Sequence, residues 1–240
     1  MINAMDAAAS SMAGDVARLN TISQNLVNAS TTSYKRHMTV SRGFANALEG
    51  AAGLAEPADS PASSQAVDHR AGTLRFTGNA LDFALEGDGF FEVQTESGIA
   101  YTRRGDFRVD ALGRLVSQGG HAVQGMGGAL QMPNTHPTLD RAGKLLDGDK
   151  PVGELKVVRF EKTSQLVSAG EGLFRSFEAP TPVADGAGKV RQGHLEASNV
   201  NSAAEMVKLV ETMRHFEATQ KVVQGVDDMM ERALRKLGEF

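Results

Sequence analysis

Residues 3–28, NAMDAAASSMAGDVARLNTISQNLVN, decide the fold class because their apolar side chains recur with a helical period. The apolar positions follow one another at intervals of three and four, as they do on one side of an α-helix. The large apolar residues that also recur every seven positions are Met5, Met12, Leu19 and Leu26. A seven-residue recurrence is the narrower seam of a coiled coil. The hydroxyl-rich run 30–33 then favours a turn, so the pattern predicts one amphipathic helix over 3–28.

A second helical pattern covers residues 199–237. The sequence assigns eight apolar residues to one face: Met206, Leu209, Met213, Phe216, Val223, Met230, Leu234 and Leu237. Ser198 or Asn199 is the predicted N-cap. Gln220 and Asp227 interrupt the face, and they either specify register and oligomeric state or are solvated where the seam drifts. Neither helix has an apolar partner nearby in sequence, so the two pair with each other or with other copies.

The composition and the hydrophobic period of the sequence change twice in the middle of the chain. Small and helix-breaking residues fill 37–72, which predicts a linker that cannot bury enough apolar surface to order itself. From residue 73 to 196 the period becomes two and glycine turns recur. Hairpins are predicted around 96–98 and 110–113, and a further strand over 155–160.

These patterns predict an α+β fold in which terminal amphipathic helices form a coiled-coil-like helical domain beside a central all-β domain. The four predicted segments are an N-terminal assembly helix and signature (1–36), a linker (37–72), the β-domain (73–196) and a C-terminal assembly helix (197–240).

Composition argues against several classes of function. A net charge of −4 offers no basic face for nucleic acid. The absence of cysteine excludes disulfides, thiol catalysis and thiolate zinc sites. A membrane-spanning helix needs about 18 consecutive apolar residues, and no run in the sequence approaches that length. The first 20 residues also lack the pattern of a signal peptide. We therefore expect neither a nucleic-acid partner nor direct membrane insertion.

Catalytic and ligand-binding patterns are also missing from the sequence. The six histidines are scattered, and the glycine pairs near 119–128 lack the order of a phosphate-binding loop. We predict no catalytic residue, no metal site and no cofactor. Two rival readings remain: an enzyme would need a clustered polar constellation, and a surface coiled-coil fibre protein would need a longer heptad run that is not split between the chain ends.

Four blocks of sequence resemble one known family. Residues 25–35, NLVNASTTSYK, are similar to the N-terminal signature of flagellar rod and hook proteins. The segments 78–91, GNALDFALEGDGFF, and 101–107, YTRRGDF, resemble the family's central β-domain, and 196–201, EASNVN, resembles its C-terminal signature. Two residues depart from the pattern: Ser33 stands where the family prefers glycine, and Val27 replaces alanine.

The resemblance implies a structural subunit rather than an enzyme. The short chain and the RHFE form at 214–217 are most like the F-type proximal rod branch, and the G-type distal rod or a hook-type axial protein is the alternative. The implied partners are other copies, other rod proteins and the flagellar type III export apparatus, which would export the chain without cleavage. The implied location is the periplasmic rod of the basal body, where the helices would form the inner tube of a drive shaft for motility.

The expected assembly interface draws on both ends of the chain. Its N-terminal members are Met5, Met12, Leu19, Ile22, Asn25, Leu26, Asn28, Thr31, Tyr34 and Lys35. Its C-terminal members are Ser198, Asn199, Val200, Asn201, Glu205, Met206, Met213, Arg214, Phe216, Glu217, Val223 and Met230. Asn25 and Asn28 share a helix face, so their carboxamides either bond a neighbouring subunit or cap the helix end.

Replacing Leu19 or Met213 by aspartate is expected to block assembly and to spare the central domain. Each change puts a charge into a stripe that becomes buried on packing, where an unpaired charge costs several kcal/mol. Motility and rod completion report assembly, and circular dichroism reports the fold. Normal swimming of both variants would contradict the packing role of the two helices.

Overall fold

The computed structural model describes residues 2–41, 63–132, 137–140, 143–148, 150–183 and 189–238. The chain forms two compact units, and each unit is assembled from separate stretches of sequence. The helical unit consists of Met1–Ala29, His37–Asp68 and Val200–Phe240. The β unit consists of Ser30–Arg36 and His69–Asn199. Each unit therefore draws on more than one of the four segments that the sequence predicts.

Two long helices dominate the helical unit. Helix α1 spans Ile2–Val27 and helix α2 spans Ser202–Gly238, which confirms the two predicted helices to within a few residues. The N-cap of α2 is Asn201, whose Oδ1 accepts a hydrogen bond of 3.1 Å from the backbone N–H of Ala204. The predicted caps, Ser198 and Asn199, were wrong because the helix begins only at Ser202.

A short antiparallel hairpin completes the helical unit. Strand β1 (His37–Ser41) pairs with β2 (Ser63–Val67), and Thr39 Oγ1 donates a 3.0 Å hydrogen bond to Thr21 Oγ1 of α1. Both strands lie within the segment predicted as a linker. Residues 42–62, where the rest of that prediction falls, lie outside the described residues.

Helix α2 buries only a narrow strip of its surface. From residue 203 to 230 all side chains are exposed except seven, namely Glu205, Leu209, Thr212, Phe216, Thr219, Val223 and Val226. The predicted single apolar face is therefore divided, because Met206, Met213 and Met230 are exposed while Leu209, Phe216 and Val223 are half-buried. Helix α1 covers the side of α2 that carries Leu209, Phe216 and Val223, and the side that carries Met206 and Met213 is exposed to solvent. Gln220 and Asp227 lie on the exposed side.

The β unit contains the remaining strands of the described chain. They are β3 (Leu74–Phe76), β4 (Phe83–Glu86), β5 (Phe90–Thr95), β6 (Gly98–Thr102), β7 (Arg108–Val109), β8 (Leu115–Val116), β9 (Ala122–Gly125), β10 (Gly128–Ala129), β11 (Thr138–Leu139), β12 (Lys144–Asp147), β13 (Lys150–Glu154), β14 (Val157–Arg159), β15 (Val167–Gly170), β16 (Leu173–Arg175), β17 (Thr181–Pro182), β18 (Lys189–Gln192) and β19 (His194–Glu196). The hairpins β5–β6 and β7–β8 and strand β14 confirm the predicted strands.

A ten-stranded antiparallel sheet forms the centre of the β unit. Its main path runs β15-β16-β6-β5-β9-β8-β7, with β10, β14 and β17 attached beside it. The strands β18 and β19 return late in the chain to pair with β4 and β3. Pairing between strands so distant in sequence cannot be seen in local periodicity, since that reports only which faces are apolar.

The two faces of strand β5 contribute to different clusters. Phe91 and Val93 point into the hydrophobic core together with Leu115 and Leu145, all of them fully buried. Phe90 lies on the opposite face, where its ring contacts Phe160 and Phe174 at centroid distances of 5.7 and 5.9 Å. This aromatic layer covers the face of the sheet that carries Glu92, so both faces are shielded from solvent near β5.

Candidate assembly site

Three of the sequence blocks that carry the family resemblance meet inside the β unit. Lys35 comes from the N-terminal block, Arg103 follows the end of β6, and Glu196 ends β19. We call these three residues, with Ser33 and Gly72, the Glu196 cluster. All three charged side chains are at most 3% exposed.

The Glu196 carboxylate is fully bonded. Its Oε1 accepts hydrogen bonds from Lys35 Nζ at 2.6 Å and from the Gly72 N–H at 2.8 Å. Its Oε2 accepts one from Arg103 Nε at 3.0 Å. Gly72 is required for this approach, because a Cβ there would lie 2.0 Å from the carbonyl oxygen of Ala197.

The cluster buries two cations with one anion, and backbone carbonyl groups balance the excess charge. Lys35 Nζ also donates to Arg70 O at 2.8 Å. Arg103 Nη1 donates to Gly87 O and Gly89 O at 2.8 and 2.7 Å, and its guanidinium lies 5.8 Å from the Phe90 ring centroid. Burying charges is costly unless they are paired and hydrogen-bonded, and here every charged group is.

Ser33 takes the place of the family's glycine with a compensating hydrogen bond. Its φ is 54°, in the left-handed region that disfavours a Cβ. Its backbone N–H donates to Glu196 O at 2.8 Å, and its hydroxyl donates to Arg103 O at 2.9 Å. The hydroxyl therefore adds a contact that a glycine lacks, and this contact offsets the backbone strain.

Asn199, three residues after Glu196, forms hydrogen bonds to the same N-terminal segment. Its Oδ1 accepts the N–H of Arg36 at 2.7 Å, and its Nδ2 donates to Arg70 O at 2.9 Å. Its own N–H donates to Tyr34 O at 3.3 Å. The segments 30–36 and 196–199 are thus joined through backbone and side-chain groups of the signature residues.

A second polar site lies within the helical unit and centres on Asn25. Its carboxamide bonds both backbone groups of His37, with Oδ1 accepting at 2.9 Å and Nδ2 donating at 2.8 Å. Nδ2 also donates to Glu205 Oε2 of α2 at 3.2 Å. Burial lowers the pKa of the His37 imidazole, so the ring stays neutral at neutral pH and its protonation at lower pH opposes folding.

The helices make another polar contact near their middles. Asp15 is buried on α1, and its Oδ2 accepts a 2.5 Å hydrogen bond from His215 Nδ1 of α2. Its other oxygen accepts a 3.3 Å bond from Arg18 Nη1. Neither Asp15 nor His215 was among the residues that the sequence selected, because a lone acid in an apolar stripe gives no sign of its partner.

The predicted interface residues therefore divide by environment. The helix positions Met5, Met12, Leu19, Ile22, Leu26, Phe216 and Val223 are buried or half-buried, whereas Met206, Met213, Arg214, Glu217 and Met230 are exposed. Asn28 donates to Gln24 O at 2.9 Å, within its own helix end. Thr31 accepts the Tyr34 N–H through its carbonyl group at 3.3 Å, and Ser198 and Val200 are half-buried. Their role between subunits stays a prediction.

A groove on the β unit bears on the enzyme alternative. It has a volume of about 270 Å³ and is lined in part by Arg104, Ser117, His121 and Glu171. Arg104 is held by both carboxylate oxygens of Asp106, at 3.1 and 2.7 Å. The Ser117 hydroxyl accepts the backbone N–H of His121 at 3.2 Å, which is a turn contact rather than a nucleophile–base pair.

The described residues lack both a metal-ligand cluster and a membrane-spanning helix. Among the described side chains, no three histidine or acidic groups converge as metal ligands. Within the described ranges, neither helix combines the length and the hydropathy that a membrane span needs.

Large apolar side chains exposed along one helix are typical of a surface that packs against another molecule. The comparisons with known proteins give the family. The model for the flagellar basal body rod FlgEFG protein C-terminal region matches residues 191–236, and that for the flagellar hook protein FlgE/F/G D1 domain matches residues 84–145.

Relatives with similar names match nearly the whole chain. The flagellar basal-body rod protein FlgG of Buchnera aphidicola is 32% identical over 89% of this chain and 92% of its own length. The rod protein FlgF of Caulobacter vibrioides is 32% identical over 92% of both chains, and that of Escherichia coli is 35% identical over 87% of this chain and 88% of its own. The chain belongs to the flagellar basal-body rod protein family.

Removing the charge of Glu196 is expected to cost more stability than removing that of Lys35. Glu196→Gln leaves two buried cations without an anion, and breaking a buried pair in this way costs about 3–5 kcal/mol of unfolding free energy. Lys35→Met leaves Arg103 and Glu196 as a neutral pair, so it should cost clearly less. Both tyrosines, Tyr34 and Tyr101, lie in the β unit, so tyrosine fluorescence during urea unfolding reports on that unit.

Arg191→Met is the matched control for these two variants. It breaks the Arg191–Glu86 pair, whose side chains are 51% and 41% exposed, and should cost less than about 1 kcal/mol. A larger loss for Lys35→Met than for Glu196→Gln would contradict the charge balance proposed for the cluster.

Substitutions at Ser33 should separate backbone strain from the hydroxyl bond. Ser33→Ala keeps the strained Cβ and loses the bond to Arg103 O, which should destabilise the β unit by about 1 kcal/mol. Ser33→Gly loses the bond but relieves about 1 kcal/mol of strain, so it should be nearly neutral. The urea midpoint measures both, with the exposed Ser30→Ala as the control. An alanine variant more stable than the glycine variant would overturn this account.

Proposed function

We propose that this protein is a structural subunit of the flagellar basal-body rod and that it polymerises through its terminal helices. The observation that carries the proposal is the exposed apolar flank of α2. Its members are Met206, Val207, Val210 and Met213, each at least 47% exposed. Val222 and Met229 are also exposed, farther round the helix. A soluble protein rarely leaves so many large apolar side chains along one helix unless another surface covers them.

The length of α2 supports packing between subunits. Its 37 residues correspond to a rod of about 55 Å at 1.5 Å per residue, roughly three times the length of an average globular helix. The strip that it buries is narrow, and three of its seven residues are polar. Burial of the opposite flank against neighbouring copies would add apolar contact and would order the helix ends, which offsets the entropy lost on assembly.

The proposal gives the β unit a passive role. Its charged cluster joins chain segments to one another, and in its groove the Arg104 guanidinium and the Ser117 hydroxyl are already bonded within the unit. The chain would transmit torque as part of a tube and would catalyse no reaction. Its partners would be further copies, other rod proteins and the flagellar export apparatus, and its place would be the periplasmic part of the basal body.

Within the family we propose the F-type, proximal position. The chain length and the sequence Arg214-His215-Phe216-Glu217 support this choice over the G-type, distal position. In the organism that encodes it, deletion should stop rod growth before the distal subunits are added. Purified basal bodies that lack this chain but retain G-type subunits would contradict the proximal position and leave the rod role intact.

Substitutions on the exposed flank of α2 should block assembly without unfolding the subunit. Val210→Asp and Met213→Asp place a charge on side chains that are 49% and 47% exposed in the free chain, so the free subunit should tolerate them. In the rod the charge would be buried without a partner, and this costs several kcal/mol for each interface. Motility in a strain deleted for the gene, and the content of purified rods, measure the result.

Leu112→Asp is the matched control, because Leu112 is 71% exposed at a turn of the β unit. We expect this variant to swim. Normal rods built from Val210→Asp and Met213→Asp subunits would show that the exposed flank of α2 is not the polymerisation surface.

A further inference from the structure

The helices α1 and α2 contact each other, and their exposed and buried residues follow complementary seven-residue repeats. On α1 the repeating positions are Met5, Ala8, Met12, Asp15, Leu19, Ile22 and Leu26, all buried or half-buried. On α2 they are Glu205, Leu209, Thr212, Phe216, Thr219, Val223 and Val226. Both sets alternate spacings of three and four, which is the seam of a coiled coil.

The two polar contacts between the helices define their direction and register. Asn25 bonds Glu205, and Asp15 bonds His215. The partners are ten residues apart on each helix, running in opposite directions. Ten residues correspond to about 15 Å of helix, so the two contacts fit the same antiparallel register without distortion.

That register also aligns the two seams. The facing layers are Leu26 with Glu205, Ile22 with Leu209, Leu19 with Thr212, Asp15 with Phe216, Met12 with Thr219, Ala8 with Val223 and Met5 with Val226. In every layer the two residue numbers add up to 231. In each polar contact the two residue numbers add up to 230. One partner of each contact is therefore a seam residue, and the other lies next to a seam residue in the sequence.

We propose that the Asp15–His215 and Asn25–Glu205 contacts are the register-setting pairs of the antiparallel packing of α1 on α2. The apolar seam alone does not select a register, because a slip of seven residues again places seam residues opposite seam residues. Such a slip would set the buried Asp15 against Leu209 or Val223 and separate it from His215. Polar groups in a helix seam specify one register in this way.

The register has a direct consequence for the outer surface. It determines which exposed side chains of α1 lie beside Met206, Val210 and Met213 of α2, and so it shapes the surface that a neighbouring subunit meets. This last consequence rests on the proposed function. The register itself is a property of the free chain and is tested there, so its failure can be told from failure of the rod assignment.

Disulfide trapping tests the register, since the chain contains no cysteine of its own. Met12→Cys with Thr219→Cys should close in the proposed register. Met12→Cys with Thr212→Cys, or with Val226→Cys, should close only after a slip of seven residues. In the purified monomer under mild oxidation, the first pair should form at least about tenfold faster than either slipped pair.

The register-setting pairs are then removed in the same three cysteine backgrounds. With Asp15→Ala and Asn25→Ala together, the rates of the native and slipped pairs should converge to within about threefold. His215→Leu alone, at a largely exposed position, should reduce the preference without unfolding the chain. The matched control, Asp6→Ala with Asn20→Ala, removes exposed side chains of the same kinds from α1 and should keep the tenfold preference.

Two results would overturn the proposal. A full preference in the Asp15→Ala and Asn25→Ala chain would show that the short connections at 28–34 and 197–201 set the register by themselves. Equal rates for all three cysteine pairs in the otherwise unchanged chain would show that the free subunit has no fixed register. Non-reducing gels and peptide mapping separate disulfides within one chain from those between chains.

Discussion

The buried carboxylate of Glu196 is the constraint on which the β unit depends. A carboxylate with almost no solvent contact must be fully bonded, and its partners come from residues 35, 72 and 103. Each partner imposes a local condition. Ser33 must turn through positive φ so that the chain reaches Glu196, and residue 72 must be glycine so that its N–H can approach. One acid thus dictates the conformation of three distant segments.

The sequence predicts where the helices and strands of this protein lie better than it predicts which of them pack or pair with one another. The helices, the hairpins β5–β6 and β7–β8 and the strand β14 all follow from apolar periodicity and turn residues, which act over short distances. The Glu196 cluster and the β18–β4 and β19–β3 ladders join residues far apart in the chain, so no periodicity indicates them. The hairpin β1–β2 was missed for a related reason, since its strands carry few large apolar residues and gain their stability from contact with α1.

The signature residues illustrate the same limit at the level of single side chains. Their resemblance to a family marks them as important but does not say what they touch. Asn25, Lys35 and Asn199 were expected at contacts between subunits, and the structure gives each of them partners within its own chain. On α2 the helical apolar pattern was visible, but the side that faces α1 could be chosen only once Glu205 and Thr212 were seen to be buried.

The wide sequence separation of these contacts has a consequence for how the chain reaches its structure. Lys35 and Glu196 are 161 positions apart, and Asn25 and Glu205 are 180 apart. Closing loops of this length delays folding, because the entropy of closure is lost before the contact stabilises anything. Neither unit can be completed during synthesis until its C-terminal strands or helix have left the ribosome. A newly made chain therefore stays open along most of its length, in a state that chaperones and proteases can reach.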